Sequence, residues 1–328
     1  MIDTVISKVV TPVVGGALFP HYDIGPRKSA PRLALVADLH GNELNGMFVL
    51  SRLAAFLQSI SLDQRHGLRL RQRVVIVPTI NSVALPNVGC SEQEAIAARR
   101  LLWAAATEAL VALTRTAYYR VDIHQISPDV EEMPQVRLYA PSDDERATAC
   151  LFGLPAVIER PMEPGTASDL ARIWRQQGGE NFSIHAGQWG SLQTEHCETL
   201  FKALVSFLDR TGIVSGLNLT DEEDELRYFD LRQVSVVLAK QSGIFSPCVE
   251  VGRWVRAGVT ELGRIYDSFN GSERVGMIAP VSGLLVSLRR QPLTCKGELL
   301  ARVLVPAQRA SRELAAAGQL GHRTGRGL

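Results

Sequence analysis

His40 and Glu43 stand three residues apart in ADLHGNELNG (37–46), just beyond an apolar run. Imidazole nitrogen and carboxylate oxygen both suit zinc. A third protein ligand would leave one position open, as in catalytic rather than structural sites. On a helix, H-x-x-E brings both side chains to one face. Here the flanking glycine and asparagine favour a turn at a strand end instead. A second apolar run ends in VDIHQIS (121–127) and offers His124, while SIHAGQWG (183–190) offers His185. Asp38 and Asp122 each precede a histidine by two residues. Side chains two apart share one face of a strand, so each carboxylate is placed to orient its neighbour. His21, His66, His196 and His322 fall in loops, a helix start and the tail, and are read as solvated.

The elements that must position these residues alternate between two periods. Apolar runs at 32–40, 73–81, 118–127, 134–141 and 181–187 read as strands. Helical spacing begins near Asn45 and recurs over 91–115, where Ser91 and Glu94 suit a capping box, and over 166–179 and 194–212. Strands alternating with helices give an α/β domain with a mostly parallel sheet, whose ligand crevice lies at the carboxyl ends of the strands. His40, Asn81 and His124 fall at such ends, and His185 lies on a further strand. Beyond the acidic run DEEDE (221–225), glycine-punctuated strand-like pieces recur to about Val305 and read as a small all-β domain. The expected division is 1–225 as the catalytic α/β domain and 226–305 as a β domain covering the site. Residues 306–328 are expected to form a short helix and flexible basic tail.

Bulk composition narrows the function classes. The 328 residues are 46% hydrophobic and 21% charged, an ordinary balance for a sizeable core. Net charge is +1, with 35 basic against 34 acidic residues, which argues against a nucleic-acid or anionic-membrane footprint. The five cysteines include no CxxC pair, so neither a disulfide framework nor a cysteine zinc site is expected. The first twenty residues lack a basic leader followed by a long apolar stretch, so no signal peptide is expected and a cytoplasmic location is.

ADLHGNELNG resembles the zinc motif of the succinylglutamate desuccinylase/aspartoacylase family, relatives of the zinc carboxypeptidases. The similarity runs through VVIVPTIN, VDIHQIS, the GTASDLARIWRQQGGENFSIHAG block and SGIFSPCVEVGRWVRAGVTELGRIYDSF, and covers most of residues 30–305. It implies an α/β fold of the zinc carboxypeptidase kind, with a mostly parallel or mixed sheet flanked by helices and a smaller C-terminal all-β domain. It also implies one Zn²⁺ per chain held by His40, Glu43 and His124. Two departures stand out. The family's Asn-Arg pair for the substrate carboxylate is missing after Asn81, where the chain reads VALPNVGCSEQEAIAARR. Arg99, Arg100 or Arg137 are the candidate substitutes, and Asn81 is expected to help orient the substrate. The family's general-base glutamate is replaced by His185 in Ile184-His185-Ala186-Gly187. Three roles stay open for it: general base, further zinc ligand, or mark of lost hydrolysis. The base role is the working expectation, because neutral imidazole accepts a proton near neutral pH. Glu195 and Glu198 sit on the following helix pattern and are expected to be exposed.

The resulting expectation is a zinc-dependent hydrolase of the amide bond of a small N-acylated amino acid or related amide. The alternative is a zinc-binding homologue without amide hydrolysis, acting as a binding protein or in a non-hydrolytic biosynthetic reaction. The expected partner is a small-molecule substrate, with no nucleic acid and no membrane, and self-association into a homo-oligomer stays open.

Overall fold

The structure, a computed structural model, describes residues 8–9, 19–39, 42–80, 106–163, 168–217, 219, 227–229 and 233–306. His40, Asn81, Ser91, Glu94, Arg99, Arg100, the acidic run 221–225 and the tail from 307, with His322, lie outside these residues.

In chain order the central elements are β1 (Tyr22–Ile24), β2 (Leu33–Ala37), α1 (Leu44–Ser61), β3 (Val74–Val77), β4 (Tyr119–His124), β5 (Val130–Tyr139), α2 (Asp143–Ala149), β6 (Ala156–Arg160), α3 (Asp169–Arg175), β7 (Glu180–Gly187) and α4 (Thr194–Arg210). Residues 106–114 are also helical. The C-terminal strands include β8 (Arg227–Phe229), β9 (Val234–Leu238), β10 (Gly243–Pro247), β11 (Glu261–Tyr266), β12 (Glu273–Ile278), β13 (Gly283–Arg289) and β15 (Leu299–Leu304), with the short β14 (Leu293–Thr294) between the last two.

Among the described residues the main sheet has twelve strands and runs β9-β15-β13-β5-β7-β4-β2-β3-β1 along its main path. The centre, β7-β4-β2-β3, is parallel, and β5 joins it antiparallel to β7. Parallel strands under helices are buried on both faces, which is why LALVA and VVIV are continuous apolar runs. On one face Leu35, Val121, Ile123, Phe182 and Ile184 pack against α1 and α4. On the other face, Ala34, Val36, Val75 and Val77 meet Leu110, Leu170 and Trp174 at one end of the sheet. At the other end Met133, Ile158, Phe229, Leu284 and Leu304 form a further cluster. Between these two apolar patches the same face carries polar residues. Asp122 and His124 are register partners of Ser183 and His185, which in turn lie opposite Arg137 and Gln135.

Two regions of this domain differ from the sequence expectation. β5 begins at Val130 rather than 134, because its first residues pair with β13 (Glu132 with Ser287) while its last pair with β6. Pro134, which cannot donate to a ladder, sits where the β5–β7 register shifts between His185 and Gly187. The strand therefore serves two neighbours in succession, and the C-terminal strands continue the central sheet. Residues 142–160, unassigned by periodicity, form α2 and β6. α2 is too short to display a helical period, yet it opens on a full capping box between Ser142 and Glu145. Strands β12, β11, β10 and β14 form a separate four-stranded antiparallel sheet. No helix among the described residues is long and apolar enough to cross a membrane. Cys150, Cys197, Cys248 and Cys295 are free, and Cys90 lies outside the described residues.

Candidate functional site

The turn after β2 places Glu43. Asp38 adopts a left-handed backbone (φ 49°), and its carboxylate accepts hydrogen bonds from the Glu43 amide at 3.0 Å and the Thr79 hydroxyl at 2.6 Å. The chain enters α1 at once, and the helix is held close to the sheet by Gly46, where a Cβ would lie 2.9 Å from Ala37 Cβ. Glu43 is consequently 1% exposed at the carboxyl end of β2, next to the end of β4.

His124 ends β4 and meets Glu43 directly, with Nδ1 3.1 Å from Glu43 Oε1. Its Nε2 faces Asp122 Oδ2 at 2.7 Å, the contact expected of residues two apart on a strand. Ser168, the N-cap of α3, donates to the same Asp122 oxygen at 3.2 Å, and the Gln125 amide donates to Glu43 Oε1 at 3.2 Å. Burial alone would lower the His124 pKa, but the carboxylates of Asp122 and Glu43 outweigh it and raise it to about 10. Two buried carboxylates thus surround one imidazole, an environment that favours a cation between them.

His124 Nδ1 and Glu43 Oε1 are two donors of the types that zinc takes. Two atoms bonded to one zinc at about 2.0–2.2 Å stand roughly 3.3 Å apart at a tetrahedral angle, close to the Nδ1–Oε1 separation. The other imidazole nitrogen is tied to a carboxylate, as ligating histidines require. Among the described residues no group of three or more His, Cys, Asp and Glu side chains is arranged to hold a metal, and His40, the remaining expected ligand, is outside them.

His185 lies beside His124, with ring centroids 5.5 Å apart. It is 1% exposed, and its Nε2 is 3.2 Å from Ser183 Oγ. Its pKa lies well below the ordinary value. Burial is the largest cause, and the charges of Arg137, His124 and Arg160 add to it. The imidazole is therefore neutral at physiological pH. Arg137 is buried next to it on β5 and donates to Glu132 Oε1 at 2.6 Å. An adjoining cleft is lined by Asp122, Ser183, Tyr139, Trp174 and Arg175.

Glu43, His124, His185 and Arg137 therefore come together, while His40 and Asn81 lie outside the described residues. Two histidines depart from expectation. His21 is buried rather than solvated. His196 bonds Glu131 Oε1 at 2.6 Å, because the first turn of α4 rests on the start of β5. Glu195 and Glu198 are exposed, and Glu198 pairs with Arg52. Sequence reasoning passed over Ser168, Gln125 and Glu132. The first carries a legible signal, a serine just ahead of the helical spacing. The other two are defined only by contacts across strands.

No family model matches the sequence, and no curated protein matches it. Solved structures do. The product-bound ectoine utilization protein EutE (DoeB) of Ruegeria pomeroyi is 20% identical with a TM-score of 0.64, covering 89% of this chain and 90% of that one. A succinylglutamate desuccinylase/aspartoacylase from Rhodobacter sphaeroides is 17% identical with a TM-score of 0.64 and coverage of 89% and 91%. A succinylglutamate desuccinylase from Silicibacter sp. TM1040 is 18% identical with a TM-score of 0.65 and coverage of 93% and 99%. At these identities the likeness is one of backbone, and the chain has the succinylglutamate desuccinylase/aspartoacylase fold.

Proposed function

We propose that this chain is a zinc-dependent hydrolase of the amide bond of a small N-acylated amino acid or related amide. The observation that carries the reading is the His124–Glu43 pair with Asp122 behind it, at the strand ends of this fold. His40, Glu43 and His124 would hold one zinc. Bound there, zinc supplies Lewis-acid polarisation of the scissile carbonyl and acidifies the attacking water.

The protein groups divide the remaining work. Asp122 fixes the His124 ring through Nε2, leaving Nδ1 directed at Glu43. His185, neutral and buried, takes the proton of the attacking water and returns it to the leaving amine. Arg137 on β5 and Asn81 orient the substrate, Arg137 by pairing with an anionic group. The C-terminal strands, reaching the site through Arg302 at 3.6 Å from Glu132, would restrict entry to small molecules.

Metal analysis of the purified protein together with a panel of N-acetyl and N-succinyl amino acids tests this reading. The expected result is one zinc per chain and turnover of at least one panel member. In His185→Ala, turnover should fall by roughly a hundredfold to ten-thousandfold while zinc stays bound. Protein without metal that turns over nothing would overturn it.

The alternative, a zinc-binding homologue without hydrolysis, is favoured by one observation, an imidazole where the family places a carboxylate. His185→Glu separates the two. Hydrolysis by the glutamate variant alone would move the assignment to the alternative.

A further inference from the structure

The imidazole at position 185 leaves the carboxyl-terminal end of β7 without a carboxylate, but one stands on the next strand. Glu132 of β5 is the register partner of Gly187, at the irregularity that Pro134 allows. It is 5% exposed, and its two oxygens are used differently. Oε1 accepts from Arg137 Nη2 at 2.6 Å, with Arg302 Nη1 at 3.6 Å. Oε2 faces His185 Nδ1 at 3.7 Å, and that nitrogen has no hydrogen-bond partner. On the far side of the ring, Nε2 meets the Ser183 hydroxyl at 3.2 Å.

These neighbours are not equivalent. An ionised carboxylate only accepts, so a lone pair on Nδ1 directed at it would be repelled, whereas an N–H there is attracted. A serine hydroxyl both donates and accepts, and rotates to suit whichever nitrogen faces it. The tautomer follows from this asymmetry.

We propose that Glu132 is the positioning carboxylate of His185, holding the neutral ring as the Nδ1–H tautomer with Nε2 as the proton-accepting nitrogen. Arg137 aims the carboxylate by binding its other oxygen. When Nε2 takes the Ser183 hydroxyl proton, Ser183 Oγ takes one from the attacking water in its place, and the imidazolium charge lies beside Glu132. The relay then runs in reverse to the leaving amine, so the pair ends as it began. This assignment rests on the reading of His185 as the proton acceptor. Its first test does not require turnover.

The test is two-bond ¹H–¹⁵N correlation on the full chain labelled with ¹⁵N-histidine, at a pH of about 7.5, where the unperturbed imidazole is neutral. The His185 signals are assigned by their loss in His185→Gln. The expected spectrum shows Nδ1 protonated and Nε2 bare. Glu132→Asp keeps that pattern, whereas Glu132→Gln, which can donate as well as accept, shifts it toward the Nε2–H form. On the panel member turned over fastest, Glu132→Gln should lower kcat by roughly tenfold or more with a smaller change in KM, and Glu132→Asp should recover part of the loss. A wild-type ring in the Nε2–H form overturns the proposal, even if the glutamine variant does not fold. So does an Nδ1–H pattern that a folded Glu132→Gln leaves unchanged. Absence of turnover with the expected tautomer shift would remove the hydrolase reading and leave the Glu132–His185 assignment standing.

Discussion

At the scale of single residues, His124 is defined by what flanks it on both sides. Glu43 is directed at Nδ1 and Asp122 at Nε2, while Ser168 steadies Asp122. Asp122 therefore acts through His124 rather than on substrate. Asp122→Asn keeps the shape but removes the charge and offers a donor where the imidazole N–H needs an acceptor. On the proposed zinc reading, metal affinity should fall by about ten- to a hundredfold, the usual worth of a carboxylate behind a ligating histidine. Competition with a chromophoric chelator measures it, and unchanged affinity would contradict the arrangement.

At the scale of elements, the turn between β2 and α1 sets where Glu43 stands. α1 presents Val49, Leu50, Leu53, Leu57 and Ile60 to the sheet at helical spacing. Its first turn approaches closest, at Gly46, where a Cβ would meet Ala37 Cβ at 2.9 Å and Ile123 Cγ2 at 3.1 Å. Gly46→Val should force the helix outward at a cost of about 1–3 kcal/mol, the range for overpacked cores. Because Glu43 immediately precedes the helix, the same variant should, on the proposed zinc reading, hold the metal less well. Thermal unfolding and metal content, measured together, check both. Gly187, with φ 89°, is equally constrained at the end of β7, since a Cβ there would stand 2.2 Å from Asn45 Nδ2.

At the scale of the whole molecule, β5 joins the two halves of the chain. Its first residues pair with β13 and its last with β6, so removing the C-terminal strands strips the partner from Val130, Glu131 and Glu132. A fragment ending near residue 220 would expose that strand edge and the apolar side chains of Met133 and Ile158. It should be insoluble or inactive, and a soluble, fully active fragment would refute the dependence. Glu131 fastens the same junction, bonding His196 of α4 at 2.6 Å and also Arg290 just beyond β13. Burial would raise its pKa, but His196 and Arg290 together hold it below the ordinary carboxylate value. A depressed folded-state pKa contributes stability above the ordinary value, and that stability is lost as pH falls through the folded one. Wild type should therefore lose more stability than Glu131→Gln between about pH 6 and about pH 3. Denaturant midpoints across that range measure the difference, and parallel curves would exclude the role.

The sequence alone was enough to read an α/β sheet with His124 at a strand end, because those features are local. Five consecutive buried apolar residues in LALVA, the helical spacing from Asn45 and the two-residue step from Asp122 to His124 depend on neighbours along the chain. Tertiary structure decided what lies across the strands. That Glu132 faces His185 follows from pairing between β5 and β7, displaced where Pro134 interrupts the ladder. No periodicity within either strand carries that register. The same holds for His196, which looks like a surface histidine on its helix and is drawn to Glu131 only when α4 packs on the sheet. It holds too for β5, whose early start depends on β13, a strand about 150 residues further on, since pairing partners rather than local propensity decide where a strand begins.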